Sequence, residues 1–129
     1  MAEVEIRGKK FPLCLTVAAL DRINEKCGSL KAFLDFLQGG GDMNTIVINT
    51  AWALALLVAE GEENRLICAK MDGEAAERRA VPSESDIRHL LTPGAVRRCR
   101  VAVLTAVNES MRQEIEAESS KNVDHAESE

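Results

Sequence analysis

One stretch decides the fold: Val4-Glu-Ile-Arg-Gly-Lys-Lys-Phe-Pro-Leu-Cys-Leu15. Apolar residues alternate with charged ones from Val4 to Arg7, and they recur at every second position from Phe11 to Leu15, so each arm presents one apolar face. Gly8 supplies the turn of a β-hairpin at about residues 3–15. Because an isolated hairpin is only marginally stable in water, its apolar face is expected to pack on the helices that follow.

The composition favours a helical body behind this hairpin. The chain has 129 residues, a length that fits one domain. Aromatic residues make up only 3%, with one Trp and no Tyr, so aliphatic side chains and Ala have to fill the core, as is common where helices pack closely. The predicted fold class is therefore mainly α with one short N-terminal β-hairpin, a compact helical bundle over residues 1–118.

The sequence predicts a cytoplasmic protein without a membrane segment. The start, Met-Ala-Glu-Val-Glu, has no basic region leading into an apolar stretch, so no secretory signal is expected. The longest apolar run, Ile46 to Ala59, is interrupted by Asn49 and Thr50. It is shorter than the roughly 20 residues that a helix needs to cross a bilayer.

Helix boundaries are marked by capping residues. Side chains that can accept a hydrogen bond from the first helical turn stand at Thr16, Ser29, Asp42, Ser83 and Thr92. Ser83 and Asp86 have the spacing of a capping box, and Pro93 follows Thr92 as a first helical residue. Gly28 predicts the end of the first helix. The last helix is expected to end near Glu116.

The third helix, at about Met43 to Glu60, is apolar nearly all round, which predicts a central position or cover by a partner. Gly61 is expected to close this helix or to bend it into a more polar stretch from 62 to 79. Within that stretch Leu66, Ile67 and Met71 are expected to dock on the core.

The net charge of −5 resides in the C-terminal segment. Residues 1–112 carry 15 acidic and 15 basic side chains, whereas residues 113–129 carry six acidic side chains and Lys121. Low hydrophobicity with a net negative charge predicts a disordered acidic tail at 119–129. Such a tail either aids solubility or serves as an interaction or linker segment.

No arrangement of residues predicts catalysis, a metal or a cofactor. Gly39–Gly41 follows a helix without a later Gly-Lys-Ser/Thr, so it is a linker rather than a phosphate loop. His89 has no nucleophile or metal ligand at a recognisable spacing. The cysteines have apolar neighbours and lack metal-ligand spacing, so reduced core thiols are expected at Cys14, Cys27, Cys68 and Cys99. The protein is predicted not to be an enzyme.

One alternative function comes from a basic helix. Arg97, Arg98 and Arg100 follow Leu91-Thr-Pro-Gly94, an arrangement that permits a small helix-turn-helix transcriptional regulator. A body of zero net charge and an acidic tail disfavour nucleic-acid binding, because phosphates repel acidic groups. A solvated face or ion pairs with nearby carboxylates explain the arginines more simply.

Several segments together suggest a protein family. They are Ile-Arg-Gly-Lys-Lys-Phe-Pro-Leu from Ile6, Leu-Thr-Val-Ala-Ala-Leu-Asp-Arg-Ile-Asn-Glu-Lys-Cys-Gly-Ser-Leu to Leu30, Ala51-Trp52-Ala53-Leu54, Glu63 to Arg65, Ser83 to Pro93 and Lys121-Asn122. In these segments, and over nearly its whole length, the chain resembles the tail assembly chaperones of long-tailed bacteriophages and prophages. This resemblance gives the leading hypothesis.

The resemblance implies a non-enzymatic helper that binds the tape measure protein while the tail is built and is absent from the mature virion. Tail tube subunits, a frameshifted longer form of the chain and a second copy of the chain are further candidate partners. A tape measure protein is a long helix whose apolar stripes need cover before the tube encloses them. The predicted groove residues are those of the helices with surplus apolar surface: Phe33, Phe36, Leu37, Trp52 and Leu56.

Overall fold

The computed structural model describes residues 2–127, with side chains described for residues 2–112. It is 71% helical and has a two-stranded N-terminal hairpin, which confirms the predicted fold class. The elements are strands β1 (Glu3–Ile6) and β2 (Lys9–Pro12), and helices α1 (Val17–Cys27), α2 (Leu30–Gln38), α3 (Met43–Met71), α4 (Glu84–Leu90) and α5 (Pro93–Glu127). A 3₁₀ turn at Gly39–Gly41 joins α2 to α3.

The hairpin is shorter than its alternating pattern suggests. β1 and β2 pair antiparallel with Val4 opposite Phe11, and both side chains are buried. Arg7 (φ 54°) and Gly8 (φ 79°) form the two-residue turn, with positive φ at both positions as in a type I′ turn. Leu13 lies beyond the strands and its N–H donates to Ala2 O at 2.9 Å.

Helix α3 is the central element of the core, as predicted. It packs against α1, α2, α4, α5 and β2. Its buried apolar side chains are Ala51, Ala53, Leu54, Leu57 and Val58. On α5 the buried apolar side chains are Val96, Val103, Ala106 and Val107. By length and composition alone α3 is long enough and apolar enough to cross a membrane, and in the structure it packs against the other four α-helices.

Gly61 neither closes nor bends α3, because the helix continues to Met71. The reason for glycine here is the approach of the hairpin. A Cβ on Gly61 would lie 2.0 Å from Pro12 O, so only a residue without a side chain lets β2 pack on α3. Beyond this point the prediction of docking is wrong for two side chains, since Ile67 is 55% exposed and Met71 is 82% exposed.

The predicted caps are present. In each case the capping side chain accepts a hydrogen bond from a backbone N–H three residues later: Thr16 from Ala19, Ser29 from Ala32, Asp42 from Thr45, Ser83 from Asp86 and Thr92 from Ala95. The Asp86 carboxylate accepts in return from Ser83 N–H at 3.0 Å, which completes the capping box.

The glycine run is a tight turn rather than a loose linker. Gly39 adopts φ 57° and caps α2 through hydrogen bonds from its N–H to Asp35 O and Phe36 O. A Cβ on Gly39 would lie 2.8 Å from Ile46 N. Glycine is therefore required for both the left-handed backbone and the close approach of α2 to α3.

Helix α5 continues to Glu127 instead of ending near Glu116, so the backbone of residues 119–127, which was expected to be disordered, is helical. The side chains of the acidic tail predicted at 119–129 lie outside those that the structure describes. We expect a chain that ends at Glu118 to keep its helical signal and its thermal midpoint, because the removed residues have little apolar surface to bury. Circular dichroism on heating measures both. A large loss of helical signal per residue would contradict the prediction.

Candidate functional site

Three aromatic side chains from α2 and α3 form one cluster, which we call the aromatic cluster: Phe33, Phe36 and Trp52. The Phe36 and Trp52 rings meet edge to face with centroids 5.8 Å apart and an interplanar angle of 83°. Phe33 lies 6.2 Å from Phe36 and 6.3 Å from Trp52. These distances lie within the range in which aromatic pairs attract beyond simple burial.

The ammonium group of Lys26 covers the aromatic cluster. Lys26 Nζ lies 5.1 Å from the ring centroid of Trp52 and 5.7 Å from that of Phe36. Lys26 is exposed in the last turn of α1, so it is held there by the ring faces and not by burial. A cation–π contact at an exposed site contributes on the order of 0.5–1 kcal/mol. The lysine can therefore move away at little cost.

Two side chains from other helices hold the C-terminal end of α2, and with it the aromatic cluster. Asn49 Nδ2 donates to Phe36 O at 2.7 Å, and Arg100 Nε donates to Leu37 O at 3.1 Å. Both carbonyls belong to the last turn of α2, and that of Phe36 also accepts from the capping Gly39 N–H. The position of α2 on α3 and α5 is thus fixed by hydrogen bonds as well as by packing.

The structure divides the predicted groove residues into two groups. Phe33 and Leu37 are fully buried, so they belong to the core and present no surface to a partner. Phe36, Trp52 and Leu56 are half-buried and keep an accessible edge. Leu56 follows Trp52 by one turn of α3 and therefore lies on the same face of that helix. The partner-binding role of these three residues stays a prediction.

The basic helix proposed for DNA recognition has only two arginines exposed at its start. Arg97 and Arg98 are exposed on α5, whereas Arg100 is half-buried and donates to the C-terminal turn of α2. Arg100 thus has a structural role that the sequence did not predict.

Reactive groups are scarce in the part of the chain that the structure describes. No three His, Cys, Asp or Glu side chains come together there in a way that could hold a metal ion. Burial raises the pKa of the thiols of Cys14, Cys27 and Cys99, which keeps them protonated at neutral pH. Cys68 is exposed, contrary to the predicted apolar surroundings. His89 is exposed, with Nδ1 2.8 Å from Ser85 O.

A buried carboxylate on α3 is a feature that sequence reasoning missed. Glu62 is only 2% exposed and binds both arginines that approach it. Arg65 donates to Glu62 through Nε at 2.9 Å and Nη2 at 2.8 Å. Arg79 donates to it through the backbone N–H at 2.5 Å and Nε at 3.2 Å. Hydrogen bonds from Arg65, and then from Arg79, lower the pKa of Glu62 to about 2.

These bonds fasten the segment 74–82 to α3. Arg65 Nη2 also donates to Glu77 O at 2.7 Å, and Arg78 pairs with Glu63. The segment has no regular secondary structure, so its position depends on Glu62, Glu63 and the arginines that meet them. The only sequence signal was the spacing of Glu62 and Arg65 at i, i+3, which is common on solvated helix faces.

A second unpredicted feature is a groove where the fastened segment meets the tip of the hairpin. It encloses a cavity of about 440 Å³. The residues that line this hairpin groove are Ile6, Arg7, Lys9, Phe11, Ala80, Val81, Pro82, Asp86 and Leu90. A neighbouring cavity shares Lys9, Phe11 and Ala80 with it and adds Lys10 and Arg79. Four cations therefore surround a partly apolar floor.

The aromatic cluster and the hairpin groove are thus two surfaces in the described part of the chain on which a ligand could bind. No protein-family model, no curated protein and no solved structure matches the chain.

Proposed function

We propose that this protein is a phage or prophage tail assembly chaperone that binds an apolar helical segment of the tape measure protein in the host cytoplasm. The observation that carries the proposal is the accessible apolar edge that the half-buried side chains of Phe36, Trp52 and Leu56 present beside the core. The resemblance of the sequence to this family supports the same function.

The geometry of the edge suits a helix as its ligand. Trp52 and Leu56 follow one face of α3, and Phe36 adds the end of α2 beside them. An amphipathic helix presents apolar side chains at i, i+3, i+4 and i+7, which match a short row of apolar edges. Large aromatic side chains supply much contact area at a small entropic cost, and they are common at binding hot spots.

Lys26 places a positive charge at one side of the apolar edge. In the free chain its ammonium group lies over the Trp52 and Phe36 rings. A bound helix has to displace it, and the displaced ammonium then lies at the rim of the contact. An acidic side chain beside the apolar stripe of the ligand would pair with Lys26 there, which sets the orientation of the helix more than its affinity.

The second candidate is a small helix-turn-helix transcriptional regulator, and the exposed Arg97 and Arg98 favour it. The two functions differ in their dependence on salt. A mainly apolar contact loses little affinity between about 50 and 200 mM salt. A complex that neutralises several phosphates loses orders of magnitude over the same range.

Coexpression with the tape measure protein of the same phage or prophage tests the proposal. We expect the tape measure protein to stay soluble and to copurify with this chain, and the yield to change little with salt. Phe36→Glu and Leu56→Glu each place a charge on the apolar edge and are expected to abolish copurification.

Val101→Glu is the matched control, because Val101 is an apolar residue of α5 that is 68% exposed and outside the aromatic cluster. Circular dichroism has to show that all three variants are folded. If the tape measure protein aggregates equally with and without this chain, and salt-sensitive binding to duplex DNA is found instead, the regulator replaces the chaperone.

A further inference from the structure

The hairpin groove carries a positive charge that the chain itself leaves unbalanced. Among the described side chains, those of Arg7 and Lys9 have no carboxylate partner. Asp86, the one acidic residue in the lining, already accepts the hydrogen bond from Ser83 N–H in the capping box. Lys10 reaches Glu3 only at 3.9 Å across two exposed side chains. An anionic ligand would find these cations available.

Arg7, whose charge lies beside the hairpin groove, has an unfavourable backbone conformation. Its φ is 54°, in the left-handed region, where turns of this type favour Asn, Asp or Gly. A left-handed conformation costs a non-glycine residue about 1 kcal/mol or more. An arginine at such a position, beside a cavity and without a carboxylate partner among the described side chains, points to a role in binding rather than in folding.

The floor of the groove is apolar, so a matching ligand has to carry apolar groups as well as negative charge. Phe11 lies at the floor, Val81 and Pro82 are half-buried, and Leu90 is 42% exposed. The surface therefore suits a segment that combines acidic side chains with small or medium apolar ones. Acidic groups would meet Arg7, Lys9 and their neighbours, while apolar groups would cover Leu90.

We propose that the hairpin groove binds the acidic C-terminal segment, residues 113–129, of a second copy of this chain. This segment carries six acidic residues against Lys121, whereas residues 1–112 are neutral overall. It also supplies apolar residues among the acidic ones, at Ile115, Ala117 and Val123. Charge complementarity thus selects this segment as the occupant.

The path of α5 favours a second copy over the same chain. Helix α5 begins at Pro93, three residues after Leu90 in the groove lining. By Glu109 it has reached the open end of the hairpin, where the Glu109 carboxylate accepts from Ala2 N–H at 2.9 Å. From Pro93 to Arg112 a helix advances about 28 Å, so the acidic segment starts far from the groove of its own chain.

Sedimentation velocity of the full-length chain tests the proposal. We expect concentration-dependent self-association at low salt that weakens as salt screens the charges. Arg7→Asn with Lys9→Gln removes two cations and is expected to raise the dissociation constant about tenfold or more. Arg7→Asn also relieves the turn conformation, so this variant folds at least as well as the parent chain. Lys31→Gln with Lys70→Gln, on exposed helix surfaces, is the control and is expected to change little.

A charge exchange makes the test specific. One chain carries Arg7→Glu and Lys9→Glu, and a second carries Glu114→Lys, Glu116→Lys and Glu118→Lys. Each alone is expected to stay monomeric, because its groove and its tail then have the same charge. An equimolar mixture is expected to associate, since each groove now faces a tail of opposite charge.

Three results would overturn the proposal. The first is a parent chain that stays monomeric at millimolar concentration and low salt. The second is self-association that the groove substitutions leave unchanged, which places the interface elsewhere. The third is a cross-link between the tail and the groove within a single chain, which identifies the occupant as the chain's own tail. These results are independent of tape measure binding, so the two proposals can fail separately.

Discussion

Replacement of Glu62 by glutamine is expected to lower the free energy of unfolding by about 3 kcal/mol. The carboxylate is buried and accepts four hydrogen bonds from Arg65 and Arg79. Glutamine removes the charge and turns an amide donor toward guanidinium groups that are donors themselves. The expected loss lies at the low end of the range for buried pairs, because Arg65 and Arg79 are partly exposed and can be rehydrated. Urea denaturation measures the change.

Glu63→Gln is the matched control. Glu63 is the next residue on α3 and also pairs with an arginine of the fastened segment, Arg78, but its side chain is 46% exposed. Exposed pairs contribute about 1 kcal/mol or less. Equal losses in the two variants would show that Glu62 is not the residue that fixes the segment 74–82.

Acid is expected to remove the contribution of the Glu62 carboxylate to the stability of the parent chain. Hydrogen bonds from Arg65 and Arg79 lower the pKa of Glu62 from 4.5 to about 2. A carboxyl group with a lowered pKa stabilises the fold above its unfolded value, and this stabilisation is lost as the pH falls through the folded value. The parent chain should therefore lose on the order of 3 kcal/mol relative to Glu62→Gln between pH 4.5 and about 2. Parallel stability curves of the two proteins would contradict the assignment.

Gly61→Ala is expected to destabilise the fold by about 3 kcal/mol or more, although alanine is the better helix former. The added Cβ would lie 2.0 Å from Pro12 O and 2.8 Å from Pro12 C. Because both atoms are backbone, no side chain can move aside, and β2 has to separate from α3. Urea denaturation measures the loss, and amide hydrogen exchange is expected to be faster in the hairpin than in α5.

Gly94→Ala serves as the control for the helix propensity of alanine. Gly94 lies in the first turn of α5, and a Cβ there would have no heavy atom within 4 Å. This variant is expected to keep or slightly increase the stability. If Gly61→Ala were equally neutral, this result would contradict the close packing of β2 on α3 at Gly61.

Local features of the fold were predictable because their causes lie within a few residues. A capping side chain and the N–H that it binds are three residues apart, and Thr16, Ser29 and Ser83 were all identified in this way. The turn at Gly8 follows the same logic. The central position of α3 was predictable because a helix that is apolar on all sides needs cover on all sides.

Features that depend on distant partners were not predictable. Gly61 looks like a helix stop in the sequence, and only the neighbouring Pro12 explains why the helix continues. Glu62 looks like a surface residue until Arg79, 17 positions later, is brought back to it. For the leucines and phenylalanines of α2, the spacing of apolar residues identifies the apolar face of the helix. It does not show how much of that face the core covers. Phe33 and Leu37 are therefore core residues, whereas Phe36 keeps an edge.

The most direct test of the proposed function uses Trp52 as the reporter. It is the only tryptophan in the chain, it is half-buried, and it lies on the proposed binding edge. Titration of the full-length chain with a tryptophan-free helical segment of the tape measure protein is expected to shift the Trp52 emission saturably to shorter wavelength, because the bound helix excludes water from the ring. Leu56→Glu is expected to abolish this shift. A segment that binds without changing the Trp52 emission would contradict the proposed binding site, and a segment that does not bind at all would contradict the chaperone function.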